Sequence, residues 1–532
     1  MRILVSDPVS QAGIEVLKKH FPVDVKLKLP PEELAAIIGE YDALVVRSET
    51  KVTKDIIARA DKLKVIGRAG VGVDNIDVEA ATNRGIIVMN APEGNTVAAT
   101  EHTVAMLLAM ARQIPQAYQS MKQGKWERAK FMGVEMRGKT LGVIGLGRIG
   151  TGVAQRAIAM EMKIIAYDPF LSAEKAASLG ITLMEVKDVI AQADFITLHS
   201  PLTKETKNLL DKQAFETMKQ GVRIVNCARG GIIDEQALVD ALVSGKVAAA
   251  ALDVFEKEPL PADSPLLTAP NLIVTPHLGA STEEAQINVA VDVAEGVITA
   301  LRGEPVRTAV NIAPVSAEAM TFVKPYLTLA EKLGHLAASL LKGRIDKVEM
   351  TYQGEVGTRE FHPITTAAVK GLLSPILLDT VNYVNAPAIA KSRGIKVTEI
   401  VNQEVENFTN FITMAVKSDK GQLTISGALF GKKDPRIVEI NGYHVDALPM
   451  GYVLVSPHLD TPGIIGKVGT VLGANGINIA GMQVGRKPGQ KPGGESIMVL
   501  AIDNPAGEDV INLIKEVEGI VDVIMVDFGG AK

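Results

Sequence analysis

Short runs of β-branched residues alternate with helix-like stretches over the first 308 or so residues of this 532-residue chain. A first series of strand-like runs comprises ILV (3–5), ALVVR (43–47), KVIGRAG (64–70) and GIIVMN (85–90). A second series comprises KTLGVIGLGRIG (139–150), KIIAYD (163–168), DFITLHSPL (194–202), GVRIVNCA (221–228), VAAAALDVF (247–255) and NLIVTPH (271–277). Because helical patterns separate these runs, the sequence predicts an α/β fold with two doubly wound, Rossmann-like domains.

Two longer helices are predicted between these domains. The first runs from about Asn95 to Ala117, and Asn95 or Thr96 has the chemistry of an N-cap. The second covers residues 281–303, where Ser281 and Glu284 have the spacing of a capping box. The second helix is expected to lead the chain back to the first sheet.

The remainder of the chain has a different pattern. A helical stretch at 323–343 is followed by strand-like runs with turns at SDKG (418–421) and NGYH (441–444), which indicates an α+β domain. The last 82 residues follow the order β-α-β-β-α-β of a ferredoxin-like fold. The predicted domains are therefore 1–97 with 281–310, 98–280, 316–450 and 451–532.

Composition narrows the function classes. The net charge of −5 argues against a nucleic-acid-binding protein that depends on bulk electrostatics, although local arginines can still bind small anions. One cysteine excludes an intramolecular disulfide, and no Cys/His spacing typical of a metal site occurs. No signal peptide and no membrane-spanning stretch is recognisable, so we expect a cytoplasmic protein that has no metal and no membrane partner.

The stretch GVIGLGRIG closes a predicted strand and opens a helix. Gly145 permits a tight turn, Gly147 lets the backbone approach a pyrophosphate, and Gly150 permits close packing of helix and strand. Asp168 ends the next predicted strand, where a carboxylate can bind a ribose 2′-hydroxyl and would repel a 2′-phosphate. The pattern predicts a dinucleotide and favours NAD over NADP; a purely structural aspartate is the alternative for Asp168.

Arginine, carboxylate and imidazole side chains occur at or beyond the ends of three successive predicted strands. Arg229 follows one strand, Asp253 ends the next with Glu258 shortly after it, and His277 ends the third. Oxidation of an alcohol needs a base for the hydroxyl proton, which histidine supplies at neutral pH when a carboxylate orients it. Arginine binds a substrate carboxylate through its planar fork. A buried structural imidazole is the alternative for His277.

Cys227 is the only cysteine, and it lies at the apolar end of a predicted strand in NCARGG. A nucleophilic thiol needs an electropositive, partly exposed environment. No histidine lies within a few positions of it in the sequence. We therefore assign the chemistry of this stretch to Arg229.

The motifs GRAGVGVDNID, GLGRIG, NCARGGIIDE, ALDVFEKEP and PHLGAST occur in this order, and together they resemble the D-isomer-specific 2-hydroxyacid dehydrogenases over essentially the whole chain. The resemblance implies that His277 is the acid/base, that Glu258 pairs with it, and that Arg229 orients the substrate. The cofactor contacts predicted from the glycine pattern and the resemblance are Gly145, Gly147, Arg148, Ile149, Gly150, Asp168, Ser200, Cys227, Ala228, Arg229, Asp253, His277, Gly279 and Ala280.

Arg47 and Arg68 end strands of the first predicted domain, and two guanidiniums there suit a substrate that carries a phosphate as well as a carboxylate. The resemblance places Asn95 and Thr96 nearby. It also implies that the segment with Trp126 and Arg128 crosses a dimer interface, so we expect a homo-oligomer, either a dimer or a tetramer.

The last domain resembles an ACT domain, a module that binds amino acids between paired copies. His458 and Asn478 match two residues that bind L-serine in family members regulated by it. Asp460 stands where asparagine is expected, which leaves serine sensitivity open. An assembly module without a ligand is the alternative, and nothing in residues 316–450 selects a ligand for the intervening domain.

Together with these residues, the resemblance implies an NAD-dependent dehydrogenase that oxidises 3-phosphoglycerate to 3-phosphohydroxypyruvate, the first step of L-serine biosynthesis. A dehydrogenase for another 2-hydroxy acid, such as glycerate or 2-hydroxyglutarate, is the alternative within the same class. A non-catalytic NAD-sensing binding protein is the alternative outside it.

Overall fold

The computed structural model describes residues 1–313, 315, 317–377, 381–402, 410–431, 433–491 and 493–529. Within these residues the chain forms four sheets, of five, seven, six and four strands. Residue 316, where the intervening domain was predicted to begin, and residue 532, where the last domain was predicted to end, lie outside the described residues.

The first domain is a five-stranded sheet in the order β2-β1-β3-β4-β5, with every neighbouring pair parallel. Its strands are β1 (Ile3–Val5), β2 (Val23–Val25), β3 (Ala43–Val46), β4 (Val65–Arg68) and β5 (Ile87–Met89), and its helices are α1 (Gln11–Lys18), α2 (Pro31–Ile37), α3 (Lys54–Ala58) and α4 (Val78–Asn83). The edge strand β2 was not predicted, because three residues with an aspartate in the middle give almost no periodic signal.

The helix predicted from Asn95 to Ala117 is in fact two helices. Helix α5 (Thr96–Ala111) and helix α6 (Ile114–Lys122) are separated at Gln113, whose φ is +52°. A left-handed residue cannot continue a right-handed helix, so the chain bends there. Asn95 is the N-cap residue of α5, but its side chain makes no capping hydrogen bond.

The second domain is a seven-stranded parallel sheet in the order β12-β11-β10-β9-β6-β7-β8. Its strands are β6 (Thr140–Ile144), β7 (Lys163–Tyr167), β8 (Ile181–Leu183), β9 (Phe195–Leu198), β10 (Val222–Asn226), β11 (Val247–Leu252) and β12 (Leu272–Val274), and its helices are α7 (Arg148–Ala159), α8 (Ala173–Ser178), α9 (Val186–Gln192), α10 (Lys212–Thr217) and α11 (Glu235–Val243). The order reverses between β6 and β9, as in dinucleotide-binding domains. The prediction missed the short edge strand β8.

Helix α12 (Glu283–Leu301) returns to the first domain, as predicted. Its cap was predicted wrongly: Thr282 is the N-cap, and its hydroxyl accepts the Ala285 N–H, instead of the proposed box of Ser281 and Glu284. Helix α12 packs against α1 and β4 so closely that a Cβ on Gly13 would lie 2.6 Å from the Ala290 carbonyl oxygen.

Within the residues that the structure describes, the intervening domain has a six-stranded sheet, of order β14-β13-β15-β16-β17-β18, and three α-helices. Its elements are α13 (Ala317–Leu340), β13 (Ile345–Gly354), α14 (His362–Leu377), α15 (Ala386–Ser392), β14 (Lys396–Asn402), β15 (Asn410–Ser418), β16 (Gly421–Phe430), β17 (Asp434–Ile440) and β18 (Tyr443–Ala447). Both predicted turns join antiparallel neighbours. At the second turn Asn441 and Gly442 have φ values of +51° and +82°, as a two-residue hairpin of the primed type requires.

The C-terminal domain has the predicted order, with a four-stranded antiparallel sheet arranged β20-β21-β19-β22. Its elements are β19 (Tyr452–Leu459), α16 (Ile464–Ala474), β20 (Ile479–Gly485), β21 (Glu495–Ile502), α17 (Glu508–Lys515) and β22 (Ile524–Asp527). Alternate residues of β19 belong to different cores: Leu454 packs with α16 and α17, whereas Val453 and Val455 join the core of the intervening domain. The last two domains therefore share one hydrophobic core.

The segment between α4 and β5 of the first domain binds the chain at the point where it leaves that domain. The Asn311 side chain binds three groups on the segment from α4 to β5, namely the Thr82 hydroxyl, the Ile86 carbonyl and the Val88 N–H. Asn382, from the intervening domain, donates to the Gly85 carbonyl in the same turn at 2.9 Å. In the described part of the chain, no helix is long and apolar enough to cross a membrane.

Candidate active site

Three neighbouring strands of the second domain end in one row. Asn226 of β10 is paired with Leu252 of β11, and Leu252 is paired with Val274 of β12. Arg229, Glu258 and His277 follow these three strands in turn, at the carboxyl edge where parallel sheets bind their ligands. The topology thus brings the three predicted side chains to one edge of one sheet.

The loop that carries Arg229 is held by the buried side chain of Asn226. Its amide donates to the Arg229 carbonyl at 2.8 Å, and its oxygen accepts the Ala228 N–H at 3.0 Å. A Cβ on Gly230 would lie 1.8 Å from the Phe255 carbonyl oxygen, so only glycine lets this loop contact the loop that carries Glu258. The sequence reasoning missed Asn226, although a buried amide at a strand end was a usable signal.

His277 and Glu258 form a hydrogen-bonded pair, in which Nδ1 and Oε2 are 2.7 Å apart. The second carboxylate oxygen of Glu258 accepts the Phe255 N–H at 3.1 Å. Burial raises the pKa of Glu258, but His277 and the Phe255 N–H outweigh burial, so the net pKa is below its usual value. Because an ionised carboxylate only accepts, Nδ1 of His277 carries the hydrogen and Nε2 is left as the proton acceptor.

Asp253 is fully buried and supports the segment on which His277 lies. Its carboxylate accepts the backbone N–H groups of Leu278 and Gly279, both at 2.8 Å, and the Thr275 hydroxyl at 2.5 Å. These bonds hold the short loop in which His277 has a φ of +56°, a conformation that needs support in a residue other than glycine.

Three arginines from two domains lie close enough to influence one another. Burial lowers the pKa of Arg68, and the positive charges of Arg229 and Arg47 lower it further, against the opposing effect of Asp74 and Asp7. Arg68 donates to the Gly72 carbonyl, and its Nε atom is buried without a partner in the described part of the structure. Such a cluster of guanidiniums favours an anion of more than one charge.

Two ion pairs cross the space between the first and second domains. Arg229 Nε lies 3.5 Å from an Asp74 carboxylate oxygen, and Arg148 donates to Glu93 at 2.7 Å. In both pairs the arginine belongs to the second domain and the carboxylate to the first. Sequence reasoning missed both carboxylates, because their partners lie far away in the chain.

The glycine-rich turn has the shape that a dinucleotide requires. A Cβ on Gly150 would lie 2.0 Å from the Gly145 carbonyl oxygen, whereas one on Gly147 would meet nothing within 4 Å among the described atoms. Asp168, directly after β7, accepts the Leu146 N–H at 2.7 Å and thereby fixes the glycine-rich turn that follows β6. The Ser200 hydroxyl is buried and has no protein partner in the described residues. Arg148 and Ile149 form the first turn of α7, whose N–H groups are suited to phosphate.

Cys227 does not have the environment of a nucleophile. Burial raises the pKa of its thiol to about 12, and the nearby Asp253 carboxylate acts in the same direction. A thiol that stays protonated at neutral pH is a poor nucleophile. The packing therefore agrees with the assignment of the chemistry to Arg229.

The remaining predicted substrate and cofactor residues have fewer contacts with the carboxyl edge of the second sheet. Asn95 has a buried Oδ1 atom without a partner in the described residues, and the Thr96 carbonyl is bound by Thr100 inside α5. Gly279 and Ala280 continue the loop of His277. Arg128 lies in a short 3-10 helix after α6, and no hydrogen bond joins it to the predicted site residues in the part of the chain described.

The three predicted effector residues do not form a single site within one copy of the C-terminal domain. His458 is paired with Ser496, whereas Asn478 precedes Ile479, which is paired with Ile502 at the opposite end of the sheet. These ends are roughly 20 Å apart at about 3.4 Å per residue. His458 is buried, Asp460 forms an ion pair with Arg486 at 2.7 Å, and Asn478 donates to Asp503 at 2.8 Å.

Comparison with known proteins agrees with this architecture. Residues 104–279 match the family described as D-isomer specific 2-hydroxyacid dehydrogenase, NAD binding domain. Residues 322–441 match the D-3-phosphoglycerate dehydrogenase intervening domain, and residues 453–519 match the ACT domain. The D-3-phosphoglycerate dehydrogenase of Archaeoglobus fulgidus is 48% identical over 99% of this chain and 100% of its own length.

The chain belongs to the D-isomer specific 2-hydroxyacid dehydrogenase family. As a member of this dehydrogenase family it is an NAD-dependent oxidoreductase, and the predicted cofactor is confirmed. A D-3-phosphoglycerate dehydrogenase of Methanocaldococcus jannaschii is 50% identical over 99% of this chain and all of its own. Among solved structures, a D-lactate dehydrogenase of Aquifex aeolicus complexed with NAD and lactic acid is similar, with 27% identity, a TM-score of 0.51, and coverage of 57% of this chain and 96% of its own.

Proposed function

We propose that this 2-hydroxyacid dehydrogenase oxidises 3-phosphoglycerate at C2 to 3-phosphohydroxypyruvate and supplies L-serine biosynthesis. The observation that carries the proposal is the cluster of Arg47, Arg68 and Arg229 on the same cleft as the pair of His277 and Glu258. A substrate with a carboxylate at one end and a phosphate at the other matches this charge pattern. The names of the full-length relatives point to the same substrate.

The proton leaves the substrate hydroxyl through His277. Its Nε2 atom is the acceptor, because Nδ1–H is donated to Glu258. The ionised Glu258 then stabilises the imidazolium that forms and keeps the ring in one orientation. Arg229 binds the substrate carboxylate and turns C2 towards this base. When bound, NAD supplies the acceptor for the hydride that leaves C2.

Arg47 and Arg68 are the proposed phosphate ligands. The Arg47 guanidinium makes no hydrogen bond or ion pair within the part of the chain that the structure describes, and the buried Nε of Arg68 lacks a partner there. The buried Nε donor of Arg68 is costly without a partner, and an anionic ligand would satisfy it. The phosphate would therefore distinguish this substrate from smaller 2-hydroxy acids.

The proposal is tested by NADH formation with 3-phosphoglycerate, glycerate and 2-hydroxyglutarate as substrates. We expect the highest kcat/KM with 3-phosphoglycerate. In Arg47→Gln and Arg68→Gln the KM for 3-phosphoglycerate should rise about 10- to 100-fold, since hydrogen bonds to a charged group are worth about 1.5–3 kcal/mol. The KM for glycerate should change little, and Arg84→Gln on the outer surface is the control. An equal loss for all three acids would refute phosphate recognition.

An amino-acid effector at the C-terminal domain is a further part of the proposal. The distance between His458 and Asn478 within one sheet means that a site with both requires two copies of the domain. Calorimetric titration of the full chain with L-serine should show binding that Asn478→Ala abolishes. Unchanged binding in that variant would remove Asn478 from the site.

We also propose a homo-oligomer. Helix α6 and the segment after it expose large apolar side chains, among them Trp126 at 76% and Met132 at 81% of their surface. Exposed apolar clusters of this kind favour a protein interface. Sedimentation of wild type and Trp126→Glu should show a larger mass for the wild type, and equal masses would place the interface elsewhere.

A further inference from the structure

We propose that His102 is a positioning residue for the dehydrogenase reaction: by donating from Nε2 to Asp253 it fixes the carboxylate that holds the His277 loop. The inference rests on the proposed role of His277 as the acid/base. His102 lies in α5, outside the loops that carry the chemistry, and neither the motifs nor the comparisons assign it a role.

The contact is short and partly enclosed. His102 Nε2 lies 3.2 Å from Asp253 Oδ1 and 3.4 Å from the Thr275 hydroxyl, and one fifth of the His102 side chain is exposed. A ring nitrogen of His102, the Cys227 sulfur and an oxygen of Asp253 all lie within 4.8 Å of one another. The recorded hydrogen bond of Nε2 goes to the Thr275 hydroxyl, and Asp253 Oδ1 lies beside it within ion-pair distance, so a hydrogen on Nε2 faces both acceptors.

Asp253 needs this donor because it is fully buried. A buried carboxylate is stable only when its lone pairs are satisfied. The Gly279 N–H binds one oxygen, and the Leu278 N–H, the Thr275 hydroxyl and His102 converge on the other. Of these four donors, the imidazole alone comes from outside the 275–279 segment.

This external anchor has a consequence for His277. Backbone hydrogen bonds from Asp253 to Asn226 and from Thr275 to Leu252 already tie this unit to the sheet, so His102 acts on the orientation of the Asp253 carboxylate within the unit. Helix α5 packs on β10, β11 and β12, and its imidazole joins the unit to that fixed frame. A displacement of His277 of about 1 Å is enough to slow proton transfer severely.

The test compares two amides that mimic the two ring nitrogens. The Gln amide nitrogen reaches the place of Nε2, whereas the Asn amide nitrogen reaches only that of Nδ1. In the full-length enzyme at saturating NAD, His102→Gln should keep kcat within about twofold, and His102→Asn and His102→Ala should lower it about tenfold, because a misplaced base slows proton transfer. The KM for 3-phosphoglycerate should stay within about twofold, because its phosphate ligands lie in the other domain.

Controls separate positioning from folding. Rates are taken per NADH-binding site, counted by NADH fluorescence titration, so unfolded protein does not contribute. His20→Asn replaces an exposed histidine whose ring contacts Arg302 at 3.1 Å, and it should leave kcat unchanged. In an Asp253→Asn background the further loss from His102→Asn should be much smaller than in wild type, since the two residues act as one unit.

Two results would overturn the inference: equal kcat values for the Gln and Asn variants, or losses that simply multiply in the Asp253→Asn background. If His102→Ala does not fold, the Gln and Asn pair still decides. If His277→Ala retains turnover, the proposed role of His277 as the acid/base fails and the inference fails with it. If His277→Ala is inactive while Gln and Asn behave alike, the inference fails alone.

Discussion

The catalytic half, with the first and second domains, joins its domains in the opposite way to the half that has the proposed effector site, called the regulatory half below. The first and second domains have separate hydrophobic cores, and charged pairs such as Arg229 with Asp74 and Arg148 with Glu93 cross the space between them. The intervening and C-terminal domains share one core, in which Val455 and Val526 pack together with residues of the intervening sheet.

The two kinds of contact between domains differ in how much relative motion they permit. A cleft bridged by exposed ion pairs can open and close at little cost, since such pairs contribute about 0–1 kcal/mol each. A shared core resists relative motion, because burial of each large apolar side chain contributes about 1.5–3 kcal/mol. We therefore expect the catalytic domains to move against each other and the regulatory domains to move as one body.

The largest expected effect lies in the catalytic half. His277→Ala should lower kcat about 1,000-fold, since general acid–base catalysis contributes about 100- to 10,000-fold, and it should leave NADH binding nearly unchanged. Steady-state NADH formation measures kcat, and NADH fluorescence titration measures NADH binding. His444→Ala, an exposed histidine of β18, is the control from the regulatory half and should keep full activity. A kcat within tenfold of wild type would exclude His277 as the base.

The shared core predicts a second, structural effect. Val455→Asp places a carboxylate at a position that is 1% exposed and should cost several kcal/mol of regulatory-half stability. Hydrogen exchange should then speed up in peptides of both regulatory domains, while peptides of the two catalytic domains stay protected. Val521→Asp, at a position that is 62% exposed, is the control. Faster exchange confined to residues 451–529 would contradict the shared core.

A smaller effect tests the cleft. Asp74→Asn removes the carboxylate that pairs with Arg229 and should lower the KM for 3-phosphoglycerate about two- to fivefold at low ionic strength, in line with an exposed pair of at most about 1 kcal/mol. Added salt should reduce the difference. Asp61→Asn breaks the exposed pair with Arg84, 3.0 Å apart, on the same domain and should not change KM. An unchanged KM in Asp74→Asn would show that this pair does not compete with substrate.

The smallest expected effect concerns Cys227. Its raised pKa, about 12, keeps the thiol protonated through neutral pH, so thiolate appears only as the pH approaches that value. Cys227→Ser should hold kcat within about twofold, and iodoacetamide should react slowly with the wild type at pH 7–8. Rapid alkylation there, with loss of activity, would instead assign Cys227 a chemical role.

Local patterns predicted most of the fold. Long β-branched runs, glycine-rich turns and the hairpin at Asn441 and Gly442 determine their own structure, and these predictions were confirmed. Short edge strands such as β2 and β8 were missed because three residues have no usable periodicity. The helix break at Gln113 was missed because a left-handed residue other than glycine leaves little trace in the sequence.

In the candidate site, too, local patterns predicted some contacts and missed others. The strand ends predict that His277 and Glu258 lie at one sheet edge, whereas the pairing of the two was implied by the family resemblance. Asp74, Glu93 and His102 reach their partners across domains or from a distant helix, and no spacing in the sequence encodes such contacts. The shared core between the last two domains was missed for the same reason.

Because Asn311 and Asn382 attach the regulatory half to the first domain at one place, a small rotation there displaces distant parts of the regulatory half by a larger distance. Both side chains bind the segment from α4 to β5, and α13 begins six residues after Asn311. With 24 residues, α13 is about 36 Å long, so a rotation of about 10° at its start displaces its far end by about 6 Å. Conversely, a shift of several ångströms at the far end of α13 changes the orientation of the segment next to β5 by only a few degrees.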